Sequence, residues 1–253
     1  MISNGYNNRL FSRAGLRRIY HLARFKWVRD KVAKLPWDLK LVELGCYDGR
    51  LLDTLGERVS EYVGIDANWE GGLDIAREKF ADRSNVRLIH ATDPTALSLL
   101  PDNHFNVAAA LETLEHVPAD LVGPYLDELG RITHGHLFVS VPNELGPIFL
   151  IKYLAKRLFY GAAESYRFAE VIAATMRRSD KVQRYDHKGF DYRDVVREVQ
   201  ARFEVLAVEG LPRTGLPPAL SPTVAIYAKS RGAVIGSIGL SRKTHQLGNR
   251  APQ

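Results

Sequence analysis

The sequence predicts an α/β fold in which a mostly parallel sheet is covered by helices on both faces. Short apolar runs alternate with helical patterns from Leu41 onward, and this alternation is typical of a sheet buried on both sides. One of these runs ends in a glycine-containing turn that opens directly into a helix. At 253 residues the chain is long enough for one such domain with additions, and too short for two ordinary enzyme domains.

The composition narrows the class of protein. Apolar residues make up 45% of the chain and charged residues 25%, as in soluble globular proteins. Cys46 is the only cysteine, which excludes a disulfide framework and a thiolate metal cluster and predicts a reducing compartment. No apolar run reaches the length of a membrane span, and the N-terminus lacks the apolar core of a secretory signal. We therefore expect a cytoplasmic protein.

The net charge of +6 is concentrated at the N-terminus. Between Met1 and Trp37 the only acidic residue is Asp30, against nine arginines and lysines. A helical pattern runs from about Leu10 to Leu35 and is stopped by Pro36. Residues 1–36 are therefore predicted to form a basic helical extension, whose composition also resembles an organelle transit peptide.

Two interpretations of this extension are open. A helical projection places apolar residues on one face and basic residues on the opposite face. The apolar set is Leu22, Phe25, Val28 and Val32, and the basic set is Arg13, Arg17, Arg24 and Lys31. We favour a helix that packs on the domain and leaves its basic face solvated. Alternatively, the basic face contacts acidic lipid head groups or a phosphorylated substrate.

The first part of the predicted domain, residues 37–230, alternates regularly between strands and helices. The apolar runs are predicted strands because they are short and bounded by turn residues. They lie at Leu41–Gly45, Glu61–Asp66, Val86–Ala91, Phe105–Leu111 and His136–Val141. Helical patterns separate them at Asp48–Gly56, Leu73–Phe80, Ala96–Leu100 (a short turn) and Ala119–Ile132.

The alternation is interrupted after Pro142. Two helical patterns, Ile148–Tyr160 and Tyr166–Met176, follow without a strand between them, so a helical insert is predicted at about 143–187. A helix and two strands are then predicted at Phe190–Arg202, Phe203–Glu209 and Thr223–Lys229. The segment 231–253 is rich in Gly, Ser and Arg and is predicted to be a mobile tail.

The turn after the first predicted strand indicates which cofactor the sheet binds. It reads Glu43-Leu44-Gly45-Cys46-Tyr47-Asp48-Gly49, whereas a nicotinamide-binding turn needs G-x-G-x-x-G and a pyrophosphate at the helix end. The carboxylates of Glu43 and Asp48 would repel a pyrophosphate. They suit a ligand that carries an ammonium group and a positive sulfur, which favours S-adenosylmethionine (SAM) over NAD.

Four segments in order resemble the motifs of the class I SAM-dependent methyltransferases, in particular the group that contains methyltransferase type 11 and the ubiquinone O-methylases. They are Glu43–Gly49, Val63–Asp66, Ile89–Asp93 and Phe105–Pro118. The resemblance implies a Rossmann-like, seven-stranded, mostly parallel sheet with an antiparallel last strand and a helical cap insert. It also implies methyl transfer from SAM, with S-adenosylhomocysteine as the product. The family usually has a glycine where Tyr47 stands.

The resemblance also implies a set of cofactor-binding residues. These are Glu43, Gly45, Cys46, Tyr47 and Gly49 in the turn, with Asp66, Ala67, Thr92, Asp93 and Glu112 at the following strand ends. The Asp66 carboxylate would accept hydrogen bonds from both ribose hydroxyls, and Asp93 from the adenine amino group. Alternatively, Asp66 is only a strand-end cap and Asp93 only a turn residue before Pro94.

The acceptor is less defined than the donor. Amino-methylating DNA enzymes carry an Asn/Asp-Pro-Pro-aromatic tetrad after the fourth strand, but here Glu112-Thr113-Leu114-Glu115 follows it, so nucleic acid is disfavoured. We expect a small-molecule, glycan or lipid-linked acceptor. His116 and His187 are candidate general bases, because a base within hydrogen-bond reach assists an oxygen or nitrogen acceptor.

Each acceptor-side residue also has a structural interpretation. His116 is equally suited to bond the backbone at a helix start, and His187 to a turn before the Phe190 helix. Glu112, Glu115 and His116 together suit a divalent metal, as in some quinone O-methylases, or serve as capping groups. We assign no metal from the sequence.

The insert contains a helical pattern with one apolar face. Ile151, Leu154, Ala155 and Leu158 share that face, and Lys152, Lys156 and Arg157 point away from it. We favour a lid packed over the active site. The alternative is an interfacial helix that gives peripheral contact with a membrane.

Two other functions remain open for the whole chain. One is an NAD-linked oxidoreductase or a sugar-modifying enzyme on the same sheet. The other is a SAM-binding module without turnover. The oligomeric state is not predicted.

Overall fold

The computed structural model of the chain describes residues 16–35, 38–160, 166–183, 185 and 187–231. The predicted tail beyond Arg231, the helical pattern before Leu16 and the side chain of Arg17 lie outside what is described. Within the described residues the chain forms a seven-stranded sheet flanked by helices, which confirms the predicted fold class.

Each predicted strand is present, with ends that differ from the prediction by at most three residues. The strands are β1 Leu39–Leu44, β2 Val59–Asp66, β3 Val86–His90, β4 Phe105–Leu111, β5 Thr133–Pro142, β6 Phe203–Leu211 and β7 Thr223–Ser230. The α-helices are α1 Leu16–Val32, α2 Arg50–Leu55, α3 Gly72–Lys79, α4 Ala119–Ile132, α5 Pro147–Tyr160, α6 Phe168–Thr175 and α7 Tyr192–Arg202. Short 3-10 helices lie at Gly56–Arg58, Pro94–Leu99, Ser179–Lys181 and Pro218–Leu220.

The sheet order is β3-β2-β1-β4-β5-β7-β6. Neighbouring strands are parallel except at β7, which is antiparallel to both β5 and β6. Leu44 at the end of β1 pairs with Ile65 of β2 and Ala110 of β4, so these three strands end at one edge. The strand order reverses between β1 and β4, and ligands of such sheets bind in the crevice at this point.

Apolar side chains fill both faces of the sheet. Along β1, Val42 and Leu44 pack on one face with α4 and α7, whereas Leu39 and Leu41 pack on the other with α1, α2 and α3. Full burial of one such side chain contributes about 1.5–3 kcal/mol, against about 0–1 kcal/mol for an exposed ion pair. The two apolar layers therefore hold the sheet edge in place.

Helix α1 packs on the sheet, as the favoured interpretation of the N-terminal segment expects. Phe25, Val28 and Val32 are buried. Trp27 is buried as well; its Nε1 donates to Glu209 Oε2 at 2.8 Å, and its ring stands edge-on to Phe138 at 5.5 Å between centroids.

The predicted solvated basic face of α1 is wrong for two of its residues. Lys31 Nζ lies 2.8 Å from Glu209 Oε2 on β6, and Arg24 lines the cavity at the edge of the sheet. A helical projection separates the faces of a helix, but it does not show which neighbours lie beside their boundary.

The insert forms a two-helix cap. Phe149 of α5 is buried against Tyr166, with ring centroids 5.0 Å apart, and Ala173 and Ala174 of α6 are buried in the same small core. The Gly146 amide donates to the Ala174 carbonyl at 2.8 Å, which fixes the start of α5 against the end of α6. The cap therefore has its own core beside the main sheet.

The apolar face of α5 turns outward, so the prediction that this face packs as a lid is wrong. Ile151, Leu154 and Leu158 are 63%, 54% and 79% exposed, whereas Phe149 is 2% exposed. Lys152, which was predicted to point away from the site, lines the cavity. In the part of the chain that the structure describes, no helix is both long and apolar enough to cross a membrane.

Candidate active site

The turn after β1 requires two glycines. Gly45 and Gly49 have φ angles of 73° and 70°, a region that residues with side chains rarely adopt. A Cβ atom on Gly45 would overlap Thr113 Oγ1, and one on Gly49 would overlap the Phe80 ring. The Gly45 amide donates to the Ile65 carbonyl at 2.7 Å. The turn is thus fixed to β2 and lies at the edge where ligands bind.

Tyr47 occupies the family's usual glycine position, and the structure shows why that position favours glycine. Its φ angle is 47°, which costs a residue with a side chain about 1–2 kcal/mol. The ring lies so close to Gly72 that a Cβ there would overlap it. The Tyr47 amide donates to Asp66 Oδ2 at 2.9 Å. Ring packing and this hydrogen bond offset the backbone strain.

Asp66 lies at the end of β2 and lines the cavity beside Ala67. Its Oδ2 accepts from the Tyr47 amide and its Oδ1 from the Asn68 amide at 2.7 Å. A carboxylate offers about four acceptor sites, so both oxygens keep capacity for further donors such as hydroxyl groups. These backbone bonds also orient the carboxylate, as the strand-end interpretation expects.

Glu43 is a buried acid at the end of β1. It is 2% exposed, and Tyr62 donates its hydroxyl to Oε2 at 2.6 Å. Burial is the main cause that raises the pKa of Glu43 to about 8; the Tyr62 hydrogen bond opposes this shift, and the nearby charges of Asp48 and Asp66 contribute to it. A cationic ligand in the cavity would favour the ionised form.

Cys46 lies close by, and burial raises the pKa of its thiol, which makes it a poor nucleophile.

Asp93 is not among the residues that line the cavity, although its neighbour Thr92 is. It is exposed, its Oδ1 accepts from the Thr95 amide at 2.9 Å, and it caps the 3-10 helix that begins at Pro94. These Thr95 hydrogen bonds lower the pKa of Asp93. This is the turn role that the sequence left open. Thr92 lines the cavity; contact of either residue with adenine stays a prediction.

Helix α1 places a cation over the cofactor turn. Arg24 lines the cavity with His21 and Phe25. Its guanidinium carbon lies 4.7 Å from the centroid of the Phe25 ring, and Nη1 lies 3.4 Å from His21 Nδ1. Its Nε is buried and has no hydrogen-bond partner among the described residues. Burial raises the pKa values of Glu43 and Glu112, and the charge of Arg24 partly opposes both shifts.

Two carboxylates follow β4. Glu112 has a φ angle of 54°, and its amide donates to the Ser140 carbonyl at 2.8 Å. Glu115 is 4% exposed, and both of its carboxylate oxygens are buried without a partner among the described residues. Burial raises the pKa of Glu112, while burial and the neighbouring Glu112 raise that of Glu115 well above its usual range. A buried carboxylate left without donors is costly, which makes Glu115 a candidate ligand.

The structure brings the two predicted histidines together beside Glu115. The ring centroids of His116 and His187 are 4.5 Å apart. Glu115, His116 and His187 each offer one ligand atom, and these atoms lie within 4.8 Å of one another. Trp69 stands edge-on to His116, with ring centroids 6.4 Å apart.

The segment that carries His187 is tied to the cap. Lys188 Nζ donates to Glu170 Oε2 at 2.9 Å, and the Gln183 amide donates to Glu170 Oε1 at 3.1 Å. The Lys188 hydrogen bond is the main cause that lowers the pKa of Glu170 to about 2. The cap thereby positions His187 over the end of β4. Asp186, beside it, lies outside the described residues.

One cavity of about 680 Å³ contains nearly all of the predicted site. Of the predicted residues it is lined by Glu43, Gly45, Cys46, Tyr47, Asp66, Ala67, Thr92, Glu112, His116 and His187. Gly49 and Asp93 are not among its lining residues. The volume falls within the usual range of about 300–1,000 Å³ for ligand sites.

Sequence reasoning missed the residues that lie outside the strand-end motifs. The cavity is also lined by His21, Arg24, Phe25, Trp69, Tyr125, Glu144 and Lys152. Lys152 Nζ lies 2.6 Å from Glu144 Oε1. The only sequence signal for Arg24 was its place at the border of an apolar helix face, and such a signal does not distinguish a site residue from a solvated one.

The sheet order, the glycine turn and the acids at adjacent strand ends together define a class I SAM-dependent methyltransferase. Comparison with known proteins agrees with this class. The chain belongs to the methyltransferase domain family, whose model matches residues 11–188.

A curated relative, the ubiquinone biosynthesis O-methyltransferase of Leptothrix cholodnii, is 26% identical over 57% of this chain. The match spans 63% of that relative's length, which is less than two thirds.

Solved structures show the same fold. A SAM-dependent methyltransferase from Clostridium acetobutylicum has a TM-score of 0.60 at 11% identity and covers 88% of this chain and 98% of its own. The methyltransferase domain of a bacterial Hen1 protein has a TM-score of 0.56 at 17% identity and covers 83% of this chain and 99% of its own. The comparisons favour the methyltransferase prediction over the NAD-linked alternative.

Proposed function

We propose that the protein transfers a methyl group from SAM to an oxygen atom of a small-molecule acceptor. One observation carries the proposal: a single cavity contains both the cofactor turn after β1 and the cluster of Glu115, His116 and His187. Donor and acceptor can therefore meet in one cavity. Holding them in near-attack geometry supplies much of the rate enhancement in such displacements.

The cofactor's charges match the residues around the turn. Glu43 and Asp48 would face the ammonium group, and Asp66 would accept from the ribose hydroxyls. Arg24 would bind the carboxylate, because its buried Nε has no partner among the described residues and a carboxylate suits a guanidinium group. These roles follow from residue chemistry around the cavity.

We further propose that Glu115, His116 and His187 hold a divalent cation. Two imidazoles and one carboxylate suit Zn²⁺ or Mn²⁺ better than Mg²⁺. The buried Glu115 carboxylate without a partner fits this role, since a cation would stabilise its ionised form. When bound, such an ion would polarise an acceptor oxygen and lower the pKa of its hydroxyl group.

The rest of the reaction needs only the chain's own residues. The acceptor oxygen forms a bond to the methyl carbon while the carbon–sulfur bond breaks, and sulfur keeps the electron pair as a neutral thioether. The hydroxyl proton passes to Glu112, which was predicted to bind the cofactor: it lines the cavity, and burial raises its pKa above the usual range of a glutamate, which makes it a stronger base. His116 and His187, predicted as bases, are ligands in this proposal.

The acceptor class is taken from the relatives. The Leptothrix protein is a ubiquinone biosynthesis O-methyltransferase, and we propose a hydroxylated small molecule for this chain too. The sequence also predicted glycan and lipid-linked molecules as possible acceptors, and these stay predictions. A cytoplasmic location also stays a prediction.

The test combines metal content with turnover. The purified chain is stripped with EDTA, loaded with Zn²⁺ or Mn²⁺, desalted and analysed for metal; labelled SAM is then supplied with a panel of hydroxylated aromatic acceptors. The wild type should retain about one cation per chain, whereas Glu115→Gln and His187→Gln should retain at least tenfold less. His134→Gln, at an exposed histidine away from the cavity, is the matched control.

The outcomes separate the parts of the proposal. Metal retention with methyl transfer supports both. If the chain transfers methyl groups without retaining a metal, and the His116 and His187 variants lose this activity, the two histidines would act as bases rather than as ligands. SAM binding with no product from any acceptor would favour a binding module.

A further inference from the structure

We propose that the outer surface of the cap docks on an anionic lipid bilayer. This cap surface comprises Ile151, Leu154 and Leu158 of α5, Phe168 and Ile172 of α6, and Met176, which directly follows α6. The inference goes beyond methyl transfer and does not depend on it.

Helix α5 is apolar on its solvent side. Ile151, Leu154 and Leu158 follow the spacing of one helix face and are 63%, 54% and 79% exposed. Phe149, on the opposite face, is buried in the cap core. The helix therefore has apolar side chains on both the packed and the open side, whereas an ordinary surface helix is polar on its open side.

Helix α6 repeats the pattern. Phe168, Ile172 and Met176 are spaced by four residues and are 82%, 46% and 65% exposed. Ala173 and Ala174 on the inner side are buried against α5. Two neighbouring helices of one insert thus present apolar stripes to solvent.

Large exposed apolar side chains are concentrated in this insert. Of twelve among the described residues, seven lie between 151 and 185: the six of the cap surface and Tyr185. Single exposed apolar residues are normal, but a cluster of this kind marks a site of interaction.

The charge of the cap indicates the partner. Four exposed basic residues accompany the stripes, namely Arg157, Arg167, Arg178 and Lys181. Asp180 is the one exposed acid in the described residues from 145 to 183. The acid Glu170 is buried and paired with Lys188, so it does not offset this charge.

Apolar side chains bordered by basic ones suit an anionic bilayer. The apolar groups enter the boundary between head groups and acyl chains, and each basic residue near the surface adds about fivefold in binding. Apolar residues and arginine alone would also suit a protein partner; the mostly positive charge around the stripes is what favours an anionic bilayer. Lys152 of α5 lines the cavity, so docking through the opposite side would place the active site close to the bilayer.

Vesicle flotation with the full chain tests the proposal. Vesicles of phosphatidylcholine alone are compared with vesicles containing phosphatidylglycerol. We expect at least fivefold more protein to float with the anionic vesicles. Leu154→Ser/Leu158→Ser should reduce the bound fraction about tenfold, and Arg157→Gln/Arg178→Gln should reduce binding to anionic vesicles alone. Because all four side chains are exposed, these variants should keep the fold, which circular dichroism checks.

The matched control is Leu99→Ser/Leu206→Ser, which changes exposed apolar residues (79% and 46% exposed) outside the cap. This control should bind vesicles as the wild type does.

The proposal is overturned if the wild type binds neither kind of vesicle, or if cap and control variants bind equally. A concentration-dependent dimer that the cap variant abolishes, without lipid binding, would assign the surface to a second copy of the chain. Loss of methyl transfer with vesicle binding intact would affect only the proposed function.

Discussion

Glu43 is a carboxylic acid that its surroundings keep neutral at physiological pH. Its position at the end of β1 was predicted from the sequence, but its protonation state was not, because that state depends on the burial and on the neighbours that folding supplies. Tyr62, nineteen residues away, donates to it, and no local pattern points to that partner.

This protonation makes stability depend on pH. The unfolded chain ionises Glu43 near its ordinary pKa of 4.5, whereas the folded chain holds the proton up to about 8. Stability from this group is therefore full below pH 4.5 and is lost as the pH rises towards 8, by up to about 1.4 kcal/mol per pH unit. Urea unfolding between pH 5.5 and 8 should show a flatter profile for Glu43→Gln than for the wild type. Glu57→Gln, at an exposed glutamate, should follow the wild type; parallel profiles for all three proteins would contradict the expectation.

Tyr47 gives a second prediction at the residue scale. At its positive φ angle of 47°, Tyr47→Gly should be more stable than Tyr47→Ala by about 1 kcal/mol, because glycine adopts this region without strain. The comparison removes the ring in both variants, so only the backbone differs. The control pair is Arg197→Gly and Arg197→Ala at an exposed position of α7. There the alanine variant should be the more stable, because glycine is unfavourable inside a helix. Urea unfolding measures the stability of both pairs of variants. If Tyr47→Gly is no more stable than Tyr47→Ala, the turn has relaxed in the variants.

At the scale of elements, strand positions were predictable because apolar runs are local. The predicted Phe105–Leu111 strand and Ala119–Ile132 helix have the observed bounds. The orientation of α5 was not predictable. A periodic pattern shows that Ile151, Leu154 and Leu158 share a face, but the side to which that face turns depends on Phe149 and its partners in α6.

Helix α1 supplies the prediction at this scale. Val28 is fully buried against the sheet, so Val28→Ala should lower the free energy of unfolding by about 2 kcal/mol through the lost methyl groups and the cavity. Lys26→Ala, two residues away on the same helix and exposed, should change it by less than about 0.5 kcal/mol. Urea unfolding compares the two; equal small effects would mean that α1 is not part of the cooperative fold.

At the scale of the whole molecule, cofactor choice is measurable without turnover. A ligand that binds only the folded chain stabilises it by about 2.7 kcal/mol at one hundred times its dissociation constant. S-adenosylhomocysteine should therefore raise the melting temperature, and NAD at the same concentration should not. Asp66→Asn should weaken the shift, because its carboxylate lines the cavity. A shift with NAD alone would support the oxidoreductase alternative.

The site as a whole was only partly predictable. The strand-end residues were found because the motifs of a βαβ unit are contiguous. Arg24 and Lys152 were not found, since each reaches the cavity from a helix whose docking depends on tertiary contacts.

The packing of α1 also has a consequence for synthesis of the chain. Trp27 hydrogen-bonds Glu209, 182 residues later, and at roughly 5–20 residues per second that partner leaves the ribosome about 10–35 s after it. Phe25, Val28 and Val32 can pack on β1 and α2 soon after these are made, but the Trp27 contact must wait until β6 has been made. The helix that brings Arg24 to the cavity therefore completes its docking only after β6 has left the ribosome, later than the strands that carry the cofactor motifs.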